Sequence, residues 1–237
     1  MRTIRNFFIF LIVIIVLAVF AIALYGHQYY NDIITKTPIE TKVDEIKSEI
    51  TYTKKKDIPE YYFKAVIDVE DRRFYSHGAA DIIGIVRATV VNTKNKDFIE
   101  GGSTITQQVA KNMYFINSRE DVVKRKVAEV FTAIELEKKY SKDDILELYA
   151  NIIYFGNGYY NISEASQGYF GKEPKDLTLA EAILLAGVPN APSIYAPTEN
   201  KELCKKRMQK VMNEMIEAGD LKKEEADKID LSFVDEI

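Results

Sequence analysis

The feature that most constrains this chain is a run of eighteen residues, Phe7 to Leu24 (FFIFLIVIIVLAVFAIAL), with no charge and no polar side chain. As an α-helix it would be about 27 Å long, close to the thickness of a bilayer's hydrocarbon core. Arg2 and Arg5 precede it, and Tyr25, Tyr29 and Tyr30 follow as interface anchors. Basic residues favour the cytoplasmic side, which places residues 1–6 inside and everything after residue 25 outside. A cleaved signal peptide is the competing reading. The run is longer than a typical signal core, however, and no A-x-A-like site follows it. Residues 7–25 therefore read as a transmembrane anchor.

Behind the anchor, residues 26–57 are polar and mixed in charge and read as an extracytoplasmic stalk that lifts residues 58–237, one sizeable domain, off the bilayer. A net charge of −4 predicts no nucleic-acid partner, so any anion site must come from locally placed Lys and Arg. Cys204 is the single cysteine, which excludes an internal disulfide framework. His27 and His77 are too few for a multi-histidine zinc site. From Ile58 onward helical periodicity dominates, with no repeat and no long alternating strand pattern. Thr104-x-x-Gln107 and Thr178-x-x-Glu181 have capping-box spacing, and Gly187 marks the end of the second of these helices. The domain should be mainly α. The charged segment 201–228 reads as one or two amphipathic helices with a solvated face.

Three clusters carry the chemistry. In Glu60 to Tyr75, Phe63, Val66, Ile67 and Phe74 form one apolar stripe, and Glu70 falls on that stripe. A carboxylate there should be partly desolvated, with its pKa raised toward a general base's working range. The same position also suits a structural glutamate paired with an arginine. Next, Gly101-Gly102-Ser103-Thr104 leads into a helix start, a setting for an anionic oxygen, with Gln107, Gln108 and, one turn on, Lys111. Finally, Val123, Val127, Val130, Phe131 and Ile134 form the apolar stripe of a third helix, with Arg125 and Glu129 one turn apart on the opposite face. That pair is either a surface ion pair or part of a site, since Ala128, Thr132, Ala133 and Leu136 share its face.

Together these residues resemble the peptidoglycan glycosyltransferases of family 51, monofunctional biosynthetic transglycosylases among them. That family is marked by ED-x-x-F-x-x-H ahead of a glycine, then G-x-STITQQ-x-x-KN, then RK-x-x-E. Here they stand as EDRRFYSHG (Glu70 to Gly78), GGSTITQQVAKN (Gly101 to Asn112) and RKVAE (Arg125 to Glu129). ILELYANIIYFG (Ile145 to Gly156) and LTLAEAILLAGVPNAPSIY (Leu177 to Tyr195) match as well. The resemblance implies a mainly α, lysozyme-like domain of two lobes, a head and a membrane-associated jaw at roughly residues 80–118. Ile82, Ile83, Ile85, Val86, Val90 and Val91 would be the jaw's interfacial stripe, or else core.

The resemblance also implies a reaction at the bacterial membrane: lipid II joins a growing glycan strand held on undecaprenyl pyrophosphate, with inversion at the anomeric carbon. By motif position Glu70 is the base on the acceptor's 4-hydroxyl and Glu129 assists at the donor, through a divalent ion (Mg or Mn) or a bound water; the metal itself is unknown, and no organic cofactor is implied. Lys111, Arg125 and Lys126 would neutralise the pyrophosphate. Ser103, Thr104, Gln107, Gln108 and Asn112 are hydrogen-bonding candidates beside it. Arg119 lies where many members bind phosphate, but two extra residues before Arg125 unsettle that equivalence. Lipid II, the glycan strand and the membrane are the implied partners, with penicillin-binding or cell-division proteins as further ones. The chain lacks S-x-x-K and K-T-G, so it reads as a member without a transpeptidase domain. A lytic transglycosylase or lysozyme-like hydrolase, or an inactive cell-wall scaffold, are the alternatives.

Overall fold

The computed structural model describes residues 2–95 and 101–237, and among these there are helices and no strand. The domain is mainly α behind one long apolar helix, as its periodicity predicts. Helix α1 (Arg2–Lys36) carries the apolar run, and none of its most apolar window is buried.

The segment expected to be a stalk is instead packed on the domain. The C-terminal part of α1 lies along α6 (Val122–Lys139), so closely that a Cβ on Gly26 would sit 2.3 Å from Val127 Cβ. The His27 ring lies 4.8 Å from Phe131, the Tyr29 hydroxyl hydrogen-bonds Ser118 at 2.8 Å, and Tyr25 donates to Asp121 at 3.0 Å. Helix α2 (Ile39–Lys47) then buries Ile39 and Val43 in the core. Mixed charge hides this in the sequence, because two apolar residues one turn apart suffice to dock a short helix.

Helix α6 also reverses the expected faces. Its most apolar stripe turns toward α1 and the surface, with Val123 and Ile134 exposed, while the face of small residues, Ala128, Thr132 and Ala133, enters the core together with Leu136. Glu129 goes in with it. Small side chains allow close packing of helices, so volume rather than hydrophobicity decides which face turns inward.

At the centre stands α9 (Leu179–Gly187), apolar nearly all round, against which α3 (Glu60–Glu70) and α11 (Lys201–Ala218) pack. Thr178 and Glu181 complete its capping box. Gly187 continues in helical conformation into a 3-10 turn, Val188–Asn190, so it is no left-handed cap. A Cβ there would lie 3.0 Å from Arg207 Cγ: glycine makes room for an arginine. Helices α5 (Ile105–Ala110) and α7 (Lys142–Ile152) fill the other side of the core. Thr104 caps α5, but the Gln107 side chain turns away to Ala79 O at 2.9 Å instead of closing a box.

Helix α4 (Ile82–Asn95) presents its stripe outward: Ile82 is 74% and Ile83 65% exposed, and Ile85 and Val86 are exposed too, which excludes the core reading for these four. The side chains of Val90 and Val91 lie outside the described residues, as does the 96–100 part of the expected jaw.

Candidate active site

Glu70 is the last residue of α3, where the chain leaves the helix at Asp71. Its side chain is 9% exposed. Gln108 Nε2 donates to one carboxylate oxygen at 2.9 Å and Arg207 Nη2 to the other at 2.9 Å. Arg207 is itself buried and fixed by Nε donation to Gly187 O at 3.0 Å. Burial pushes the Glu70 carboxyl above its ordinary value, and Arg207 and then Gln108 oppose that rise. Both sequence readings of Glu70 therefore hold at once: it is desolvated, and it is paired with an arginine.

Asp71 ties the first motif to the second. It bonds His77 Nε2 at 2.6 Å and accepts the N–H of Ile105, the first residue of α5, at 3.0 Å. The opposite wall begins with Ser103, whose hydroxyl accepts from Lys126 Nζ at 2.8 Å. Lys126 Nζ also lies 3.1 Å from Glu129, with Arg125 Nε 3.4 Å from the same carboxylate. At 3% exposure the Glu129 side chain is no surface residue, so this i, i+4 pair belongs to the interior. After Ala110 the helix widens into one π turn, Lys111–Phe115, a distortion often found at functional sites. Asn112 Nδ2 there bonds back to Gln108 O at 2.8 Å.

These groups line one cleft of about 710 Å³. Glu70, Glu129, Ser103, Lys111 and Lys126 face it, together with Gln107, Gln108 and Asn112. Thr104 does not reach it: buried as the α5 cap, it donates to Ala79 O and borders a smaller adjoining pocket. Arg125 reaches the site through Glu129 rather than through the cleft wall, and Arg119 is exposed away from the lining.

Sequence reasoning missed Arg207 and its neighbour Lys210, both in the cleft wall, because the charges of 201–228 suggested a solvated face. A signal was present. Arg207 falls on the stripe of Cys204, Met208, Val211 and Met215, the same kind of misplacement that singled out Glu70. Tyr154 and Asn190, from the fourth and fifth matching stretches, line the cleft as well.

A divalent ion would need several oxygen donors. Glu129 faces two cations instead, and the described grouping compact enough for an ion is Asp71, His77 and Asp81, where Arg73 already pairs with Asp81. The residues at Glu129 do not fit such an ion.

The family model for transglycosylases matches residues 37–216. The chain belongs to this family. It is 49% identical over 166 residues to penicillin-binding protein 1A of Neisseria gonorrhoeae, covering 70% of this chain and 21% of that protein. It is 41% identical over 179 residues to penicillin-binding protein 4 of Bacillus subtilis (strain 168), covering 73% and 28%. The chain thus spans about a fifth to just over a quarter of the length of these relatives. A crystal structure of penicillin-binding protein 1A from Haemophilus influenzae aligns with 74% of this chain and 16% of its own, at 23% identity and a TM-score of 0.44. The transglycosylase match spans every wall of the cleft, from α3 through Arg207.

Proposed function

We propose that this transglycosylase is a membrane-anchored peptidoglycan glycosyltransferase that polymerises lipid II into β-1,4-linked glycan. The observation that carries the reading is one cleft holding a buried glutamate on one wall and a second glutamate with its lysine and arginine on the other. Glu70 takes the proton of the acceptor's 4-hydroxyl as that oxygen attacks the anomeric carbon of the donor. The bond from that carbon to the pyrophosphate breaks, and the leaving oxygen keeps the electron pair. Lys111 and Lys126 face the charge that builds there, and Arg125 adds to the same field through Glu129. Glu129 positions the two cations and keeps their excess charge in check. Arg207 keeps Glu70 ionised and aimed. The apolar part of α1 spans the membrane with residues 1–6 in the cytoplasm, which leaves the cleft on the outer face where a lipid-linked substrate lies.

Incubating the purified full chain with labelled lipid II tests the reading. Products of increasing length support it; shortening of preformed glycan without polymer would mark a hydrolase and overturn it.

A further inference from the structure

Several charged groups in the cleft have no part in the reaction above. Asp68 stands on α3 two residues before Glu70, is 6% exposed, and its Oδ2 has no hydrogen-bond partner among the described residues. Arg72 Nε is buried and equally unpartnered. The rest of that guanidinium is engaged on α11, Nη2 lying 2.5 Å from Glu214 and 3.3 Å from Glu217. Asp68, Arg72, Glu214 and Glu217 all line the cleft, with Lys210 one turn before Glu214 on α11, so this end sets three carboxylates against Arg72 and Lys210. The nearby Lys64–Asp220 pair, at 3.1 Å, is neutral on balance. A buried carboxylate without a partner is costly, and neighbouring carboxylates add to the cost. Burial pushes Asp68 up to about 7, with Asp220 adding to the rise and Arg72 opposing it. A cation placed beside Asp68 would relieve both effects.

We propose that this end of the cleft is a subsite for a primary ammonium on the peptide of the acceptor, held by Asp68 with Glu214 and Glu217. The assignment to the acceptor rests on the glycosyltransferase reading, because Glu70, the base on the acceptor's hydroxyl, ends the same helix. Arg72 Nε–H supplies a donor for a carbonyl of the same peptide. The opposite wall, with Lys111 and Lys126, repels an ammonium and suits pyrophosphate, so charge helps to orient the acceptor.

Two forms of lipid II, one with the free side-chain amine of its peptide and one with that amine acetylated, test the subsite with the full chain. The wild type should show a KM roughly tenfold higher for the acetylated form, as the loss of one charge-assisted contact implies. Asp68→Asn should bring the ratio of the two KM values close to one. Glu217→Gln, at a largely exposed side chain, should bring it part of the way and carries the test if Asp68→Asn does not fold. Equal KM values in the wild type, or an unchanged ratio in the variants, would overturn the subsite and leave the glycosyltransferase reading standing. Polymerisation of neither form would overturn both.

Discussion

At the scale of single residues the site is built from two misplaced charges that find each other. Glu70 and Arg207 each occupy an apolar stripe of their own helix, and the two stripes meet. The first was legible in the sequence because its place on an apolar stripe and its motif drew attention to it; the second was hidden among seven other charged residues of α11, where only its register set it apart. The pairing has a pH consequence. A glutamate can serve as a base only when ionised, and at Glu70 burial raises the pKa while Arg207 lowers it. Removing the guanidinium by Arg207→Met lets the pKa climb further, so the acid limb of kcat/KM should move to higher pH, and Arg207→Lys should move it less. A pH–rate profile of the two variants checks the order. Asp68 gives a second sign. Its carboxyl lies at about 7 in the fold against an ordinary 3.8, so between those values the native state binds more protons than the unfolded chain, and stability falls as pH rises through the window. Asp68→Asn should therefore raise Tm by several degrees at about pH 8 and change it little at about pH 4, read by thermal denaturation.

Among the elements, capping was the most legible part. Thr178 and Glu181 form the expected box because both partners are local in sequence. The orientation of α6 was not legible, since the decision between its two faces depends on what packs against each. The apolar stripe pairs with α1 and the small-residue stripe with the core, and a one-dimensional pattern records neither partner. For the same reason the segment after the anchor read as a stalk. Gly26 is the key to that contact. Gly26→Ala puts a methyl 2.3 Å from Val127 Cβ and 3.1 Å from Lys124 O, which should cost about 1–3 kcal/mol by forcing α1 off α6. Val127→Ala should recover only part of the loss, because Val127 Cβ is itself the nearest atom. A double-mutant cycle on Tm in detergent measures the coupling. Because α6 carries Lys126 and Glu129, the same variant should lower polymerising activity beyond what its Tm alone accounts for.

The whole molecule joins an apolar helix, an exposed apolar face on α4 and a charged cleft. Ile82, Ile83 and Val86 on α4 are exposed, and contact with lipid would cover them. Cys204 is buried, with its thiol pushed up to about 12, so a cysteine placed on the surface can be labelled selectively. A fluorophore at Val86→Cys should be quenched by spin-labelled lipid in a reconstituted bilayer, and one at Ser232→Cys should not. A long apolar helix, an exposed apolar helix face and a two-glutamate cleft make sense together if the substrate is itself lipid-linked. The central claim is that Glu70 is the base of that cleft, and the most direct measurement is the initial rate of lipid II polymerisation by the reconstituted wild type and by Glu70→Gln. A loss of at least about a hundredfold, with Tm unchanged or raised, is the predicted result; polymerisation by Glu70→Gln at the wild-type rate would contradict it.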